Sequence, residues 1–294
     1  MTVEFNPGSF CHNADAEVST ETYDANGNAT QVGAKSLTYD SENRMTSMTA
    51  GSTMVYDGDG NRVAKTASGV TPQYLVDDLN PTGYAQVAEE VVGGAVARQY
   101  TYGLQRISQG QFIGNQWTVS FYGYDGGGNV RKLTSVTGAT TDEYEYDAFG
   151  NSFTKVGTTP NNYLYRGEQF DSDLGLYYLR ARYYNPATGR FMSRDPEDGK
   201  PNDPTSLHRY LYAGGDPADF IDPTGRDEEA EYTMFTARTL EETLNFAGAL
   251  TCAFSVHWYV WDLLKGGFAW DDQAAAIATG VVGCVGTALS VIYL

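Results

Sequence analysis

Few side chains in this sequence are spaced for chemistry. Three cysteines (Cys11, Cys252, Cys284) and three histidines (His12, His208, His257) are scattered along 294 residues. That spacing builds neither a disulfide framework nor a metal cluster, and it gives little support to a Ser-His-Asp site. No metal and no cofactor is therefore expected. Carboxylates remain, and four Asp-Pro pairs begin at Asp195, Asp203, Asp216 and Asp222. Taken alone, each reads as a turn starter, because Asp can accept a hydrogen bond from the backbone two residues on. Two carboxylates sharing a proton would instead form a general acid and base, but only a fold can bring such distant residues together.

The elements that would do so are repetitive. YDxxGN occurs as YDANGN from Tyr23, YDGDGN from Tyr56, YDGGGN from Tyr124 and YDAFGN from Tyr146, with YDSENR from Tyr39 as a fifth copy that lacks the glycine. Around them, SLTYD, RMTSMT, TMVYD and RVAKTA are short runs rich in Thr, Val, Tyr and Met, separated by SEN, AGS and GDGN. Asp, Asn and Gly tolerate the left-handed backbone of tight turns, so each unit predicts strand, turn, strand. The Tyr closes a strand and the Asp makes an Asx-turn. Leu37 with Tyr39, and Met54 with Tyr56, fall on one face, as expected of a sheet wet on its other side. QVAEEVVGGAVARQYTYG reads as a hairpin across Gly93 and Gly94. The 33 Gly and 22 Tyr suit such a chain. The formal net charge of −18 would repel a phosphate backbone, so no nucleic-acid partner is expected.

These repeats resemble those of the RHS/YD-repeat family, found in bacterial polymorphic toxins, insecticidal toxin complexes and, more distantly, teneurins. The segment from Tyr163 to Arg226 is similar to the family's RHS repeat-associated core, most specifically in GLYYLRARYYNPATGRFMSRDP (Gly175 to Pro196) and PADFIDPTG (Pro217 to Gly225). The resemblance implies a mainly β fold: a spiralling strip of antiparallel β-hairpins, part of a hollow shell, with the core curling in as a C-terminal plug. It divides the chain into a hairpin strip (1–162), the core (163–226) and a variable tail (227–294). A closed shell needs several times more repeats, so open sheet edges are expected. Tyr177, Tyr178, Tyr183, Tyr184, Tyr210 and Tyr212 are expected to pack the core.

The family's core often cuts itself with two aspartates just after a DPxG motif. The resemblance places them at Asp195 and Asp222, with Arg194 beside the first as the cation that holds a carboxylate ionised. Cleavage is expected at Gly225, Arg226 and Asp227. Arg226 stands where the family commonly has Leu, and His208 where it commonly has Asn. Asp203 and Asp216 stay with turns.

Beyond Arg226 the grammar changes. Two uncharged runs, from Thr243 to Trp261 and from Gln273 to Leu294, flank a polar DLLKGGFAWDD and predict a small α-helical hairpin, with Thr239 and Glu242 as a capping box. Each run is long enough to cross a membrane, and Gly280, Gly283 and Gly286 line one face. Membrane contact by residues 243–294 is one expectation, packing against the shell the other. The opening MTVEFNPGSFCHNADAEV has no basic n-region or apolar core and does not read as a signal peptide; the chain reads as part of a longer, secreted or cell-surface protein. The expected partners are its own C-terminal segment, a missing N-terminal shell and a delivery machinery. The expected function is carriage and release of the tail, with a non-enzymatic adhesion module binding glycans or proteins as the alternative.

Overall fold

The computed structural model describes residues 16–226, except 50, 197–198, 200–201 and 203–205, together with the backbone of 229–230. The chain divides into two compact units, Met1–Ala230 and Glu231–Leu294, and the repeats and the core both belong to the first. The expected helical hairpin, its capping box and the membrane contact of 243–294 lie outside the described residues, as do Asp203 and Asp227. Among the described residues no helix is long and apolar enough to cross a membrane.

The hairpin grammar folds as one antiparallel sheet. Among the described residues fourteen strands run in sequence order, from β1 (Thr22–Tyr23) to β14 (Ser152–Val156), each paired with the next. The sheet does not close on itself, so β1 and β14 are its edges. Val92 faces Ala95 across the turn at Gly93 and Gly94. Both glycines have positive φ, +60° and +81°, the conformation a two-residue primed turn demands.

One turn recurs five times. Asp24 Oδ1 accepts from the Asn26 and Asn28 amides at 2.9 Å each, while the Asp24 amide donates to the Asn28 carbonyl. Asp40, Asp57, Asp125 and Asp147 repeat those contacts two and four residues on. The fourth residue of each turn is left-handed, which is why it is Gly27, Gly60, Gly128 or Gly150. In the copy without glycine, Asn43 takes that place at φ +63°.

The core forms a second sheet of four strands: β15 (Gln169–Asp171), β16 (Leu176–Leu179), β17 (Arg182–Asn185) and β18 (Arg190–Phe191). Its period-2 alternation buries both faces, each against a different stretch of wall. Leu176, Tyr183 and Met192 pack with Ala29, Leu37, Met45, Met48 and Met54. Tyr177, Leu179, Tyr184, Phe191 and Tyr212 pack with Val130, Leu133, Tyr144 and Tyr146. Of the expected core tyrosines, Tyr177, Tyr183, Tyr184, Tyr210 and Tyr212 are buried and Tyr178 is half-buried. Buried charge ties wall to core as well. Arg62 of β6 (Arg62–Thr66) reaches Asp171 at 2.5 Å and lies 4.2 Å from the Tyr178 ring centre, and Lys65 reaches Asp171 and Asp173.

Candidate active site

The hairpin joining β16 to β17 grips the DPTG turn through three successive residues. Arg180 donates from Nη1 to the Pro223 carbonyl, the Ala181 amide donates to the Thr224 carbonyl at 3.2 Å, and Arg182 donates from Nε to the Gly225 carbonyl. Glu168 holds Arg180 from behind at 3.0 Å. Gly225 fits only as glycine: it has φ +69°, and a Cβ there would overlap the Leu179 carbonyl oxygen.

The turn itself is built like those of the wall. Asp222 Oδ1 accepts from the Arg226 amide at 3.1 Å and from Thr224 Oγ1 at 3.2 Å. Asp222, Gly225 and Arg226 thus keep the spacing of Asp24, Gly27 and Asn28. The setting differs, because Asp222 is 3% exposed. Burial raises its carboxyl to about 6, although Arg182 and the amides of Arg226 and Gly225 pull the other way.

Asp195 arrives from the strand side. Its amide donates to the Arg209 carbonyl at 2.9 Å. Its Oδ2 lies 2.8 Å from Arg182 Nη2, the same nitrogen that lies 3.3 Å from Asp222 Oδ2. The two aspartates are therefore brought together, with a guanidinium between them. That guanidinium belongs to Arg182. Arg194 is exposed, and its backbone amide donates to the Gly27 carbonyl. Arg182 is itself buried on the Phe191 ring, 3.7 Å from its centre. Burial lowers its pKa, against the pull of both carboxylates.

The peptide bond between Gly225 and Arg226 is thereby held at both ends, its oxygen by Arg182 and its N–H by Asp222. The bond on the other side of Arg226 ends at Asp227, outside the described residues. Asp216 stays in a turn of its own, accepting from the Ala218 amide at 3.3 Å. His208 lies 2.8 Å from Arg190, with Nε2 against Nη2. The motif match does not single out Arg182, yet the sequence carries a signal for it: a charged residue in a strand of tyrosines, which has to be buried with carboxylate partners. Among the described residues no group of His, Cys, Asp or Glu is arranged to hold a metal.

No family model matches the chain. Individual relatives do. The tRNA(Glu)-specific nuclease WapA of Bacillus subtilis subsp. natto is 32% identical over 274 residues, 89% of this chain and 10% of that protein. The tRNA nuclease WapA of Bacillus subtilis strain 168 is 35% identical over 69% of this chain and 9% of its own length. Toxin protein Tse5 of Pseudomonas aeruginosa is 43% identical over 63 residues, 21% of this chain and 4% of that protein. The crystal structure of TcdB2-TccC3-TEV superposes with a TM-score of 0.56 at 20% identity, over 71% of this chain and 11% of that one, which speaks for the fold. The chain thus spans about a tenth of the length of the WapA relatives. With five YD turns on an open β-strip around a four-stranded core, and with these relatives, the chain belongs to the RHS/YD-repeat family, of the type found in RHS polymorphic toxins.

Proposed function

We propose that this chain is the C-terminal part of an RHS toxin-type protein that encloses a C-terminal segment and frees it by cutting itself after the DPTG motif. The observation that carries this reading is the grip on one peptide bond. Arg182 Nε sits on the Gly225 carbonyl oxygen, while Asp222 Oδ1 sits on the Arg226 amide.

That grip suits hydrolysis. Asp195 is the carboxylate that water can reach, with a side-chain exposure of 21% against 3% for Asp222. It takes a proton from a water as the water oxygen bonds to the Gly225 carbonyl carbon. Negative charge develops on the carbonyl oxygen, where Arg182 already donates. In the tetrahedral intermediate the Arg226 nitrogen turns pyramidal, its N–H swings off Asp222 and its lone pair faces the carboxyl. Asp222, raised to about 6, then supplies the proton that nitrogen needs as the C–N bond breaks. The products are a carboxylic acid at Gly225 and an amine at Arg226, and both carboxyl groups return to their starting states by exchanging one proton with solvent.

Incubated full-length protein should give two fragments, the smaller beginning at Arg226. Asp195→Asn and Asp222→Asn should each remove the split, because an amide can neither take nor give the proton. Intact-mass measurement decides: wild type that stays whole alongside both variants rules the reading out. A segment released in this way acts on a target outside the producing cell, so we place the protein among secreted ones, with the missing N-terminal shell and a delivery machinery as partners. Nucleic acid is left out of that set, since a net charge of −18 opposes a phosphate backbone.

One observation favours the adhesion alternative. Phe112 and Trp117 face each other across β10 (Arg106–Ile113) and β11 (Gln116–Tyr124), with ring centres 5.6 Å apart and both rings exposed. On that reading Trp117→Ala abolishes retention on a glycan array, and an array that retains no wild type dismisses it.

A further inference from the structure

Of the five YD turns, the first meets the strand that delivers Asp195. Asn28 pairs with Ser193, and the Ala29 amide donates to the Met192 carbonyl at 2.9 Å. The Gly27 carbonyl accepts twice, from the Arg194 amide at 3.1 Å and from Tyr210 Oη at 2.9 Å. The turn is locked from its own side too. Asn28 is 1% exposed, and its Nδ2 donates to Asp24 Oδ2 and to Asn43 Oδ1. One residue past this seam, Asp195 lies on Arg182.

We propose that Gly27 and Asn28 are positioning residues for self-cleavage, seating Ser193–Asp195 so that the Asp195 carboxylate meets Arg182. This rests on the self-cleavage reading and adds to it a dependence of cutting on a seated wall. The residues that touch the reacting bond all come from the core, between Arg182 and Arg226. The segment that carries Asp195 is bonded to the core through the Asp195 amide on Arg209, but its Met192 carbonyl and Arg194 amide bond to a wall turn more than 160 residues earlier in the chain. A core whose first YD turn is not docked then holds Arg182 and Asp222 in place but fixes Asp195 only through Arg209 and Arg182, with Arg194 beside it unanchored. Cleavage accordingly follows closure of strip on core.

The repeats supply an internal control. Gly27 and Gly60 occupy the same place in the same turn, at φ +82° and +87°. A Cβ on Gly27 would lie 2.7 Å from Tyr210 Oη and 3.0 Å from Arg194 Cβ, whereas one on Gly60 meets nothing closer than Arg44 Nη1 at 3.9 Å. Alanine therefore imposes the same backbone strain at both positions, and only Gly27→Ala pushes on the Asp195 segment.

The test compares single-turnover cleavage of the full chain. Gly27→Ala should slow it about 100-fold, the scale of a reacting group displaced by about 1 Å. Tyr210→Phe, which keeps the ring and loses one hydrogen bond, should slow it about 10-fold. Gly60→Ala should stay within about twofold of wild type, however much its melting temperature falls. In the Asp222→Asn background, which cannot cut, Gly27→Ala should also speed hydrogen exchange at the Arg194 and Asp195 amides and not at Val130. Equal rates for Gly27→Ala and Gly60→Ala, or unchanged exchange at Arg194 and Asp195, overturn the positioning role while leaving self-cleavage intact. A wild-type chain that never cuts overturns the self-cleavage reading and this role with it.

Discussion

The Asp40 turn in the wall and the Asp222 turn in the core share one Asx hydrogen bond, and they end in opposite electrostatic states. Each carboxylate accepts the amide four residues on, at 2.9 Å from Arg44 and 3.1 Å from Arg226. At Asp40 partial burial pushes the carboxyl up, but the Arg44 and Glu42 amides and the Arg44 guanidinium outweigh it, and the net shift is downward. At Asp222 near-complete burial wins, and the carboxyl rises to about 6 in spite of Arg182. The hairpin motif thus specifies hydrogen bonds, while the packing of the core sheet decides whether the aspartate is a solvated acceptor or an acid.

The harshest perturbation of this contrast removes the cation that separates the two cases. Arg182→Met leaves Asp222 buried without its partner and should destabilise the fold by about 3 kcal/mol, as well as ending cleavage. Chemical denaturation reads the first effect and intact mass the second. A variant as stable as wild type would mean that Arg182 does not neutralise the site.

Next in size is a difference of sign between the two turns. A buried acid raised from 3.8 to about 6 keeps its proton in the folded state where the unfolded chain has lost it. Stability therefore falls as pH rises through that window, and above it the ionised Asp222 is a liability. Asp222→Asn should stabilise uncleaved protein by about 1–2 kcal/mol at pH 7. Asp40→Asn should do the reverse, at about 1 kcal/mol, because there the charged form is the favoured one. Denaturation at pH 7 and pH 4 tests both, since the gain at Asp222 should vanish at the lower pH. Shifts of the same sign at the two positions would dissolve the contrast.

The smallest effect concerns the copy of the turn that lacks glycine. Asn43→Gly relieves a left-handed side chain yet removes the Oδ1 that receives the buried Asn28 amide at 2.8 Å. A net loss of about 0.5–1 kcal/mol is expected, rather than the gain that consensus with the other repeats suggests. A more stable Asn43→Gly protein would show that this acceptor is dispensable.

The wall was legible because its information is local. YDxxGN names the strand end, the Asx acceptor and the left-handed residue within six positions, and the Asp24, Asp57, Asp125 and Asp147 turns fold alike. Even the Gly93–Gly94 hairpin follows from two residues. The site was half legible. DPTG at Asp222 and SRDP at Asp195 were singled out by family resemblance, but no spacing rule says which arginine lies between two carboxylates 27 positions apart. Arg194 is next to Asp195 in sequence, and strand geometry turns it away to the wall. Arg182 is 13 positions upstream, and the β16–β17 hairpin carries it to both carboxylates. The role of Gly27 was invisible for a related reason: its turn reads like the other four until the Asp195 strand is laid beside it.

If a buried acid, Asp222, and the Arg182 clamp together cut the bond between Gly225 and Arg226, cleavage must carry the titration of that acid. The measurement that asks this is the rate at which a new N-terminus at Arg226 appears in purified wild-type chain, followed from pH 4 to pH 9. With Asp222 as the proton donor, the rate should fall about tenfold per unit above about pH 6, tracking loss of its proton. A rate that is flat or rising between pH 6 and pH 8, or a new N-terminus at any other residue, would overturn this mechanism.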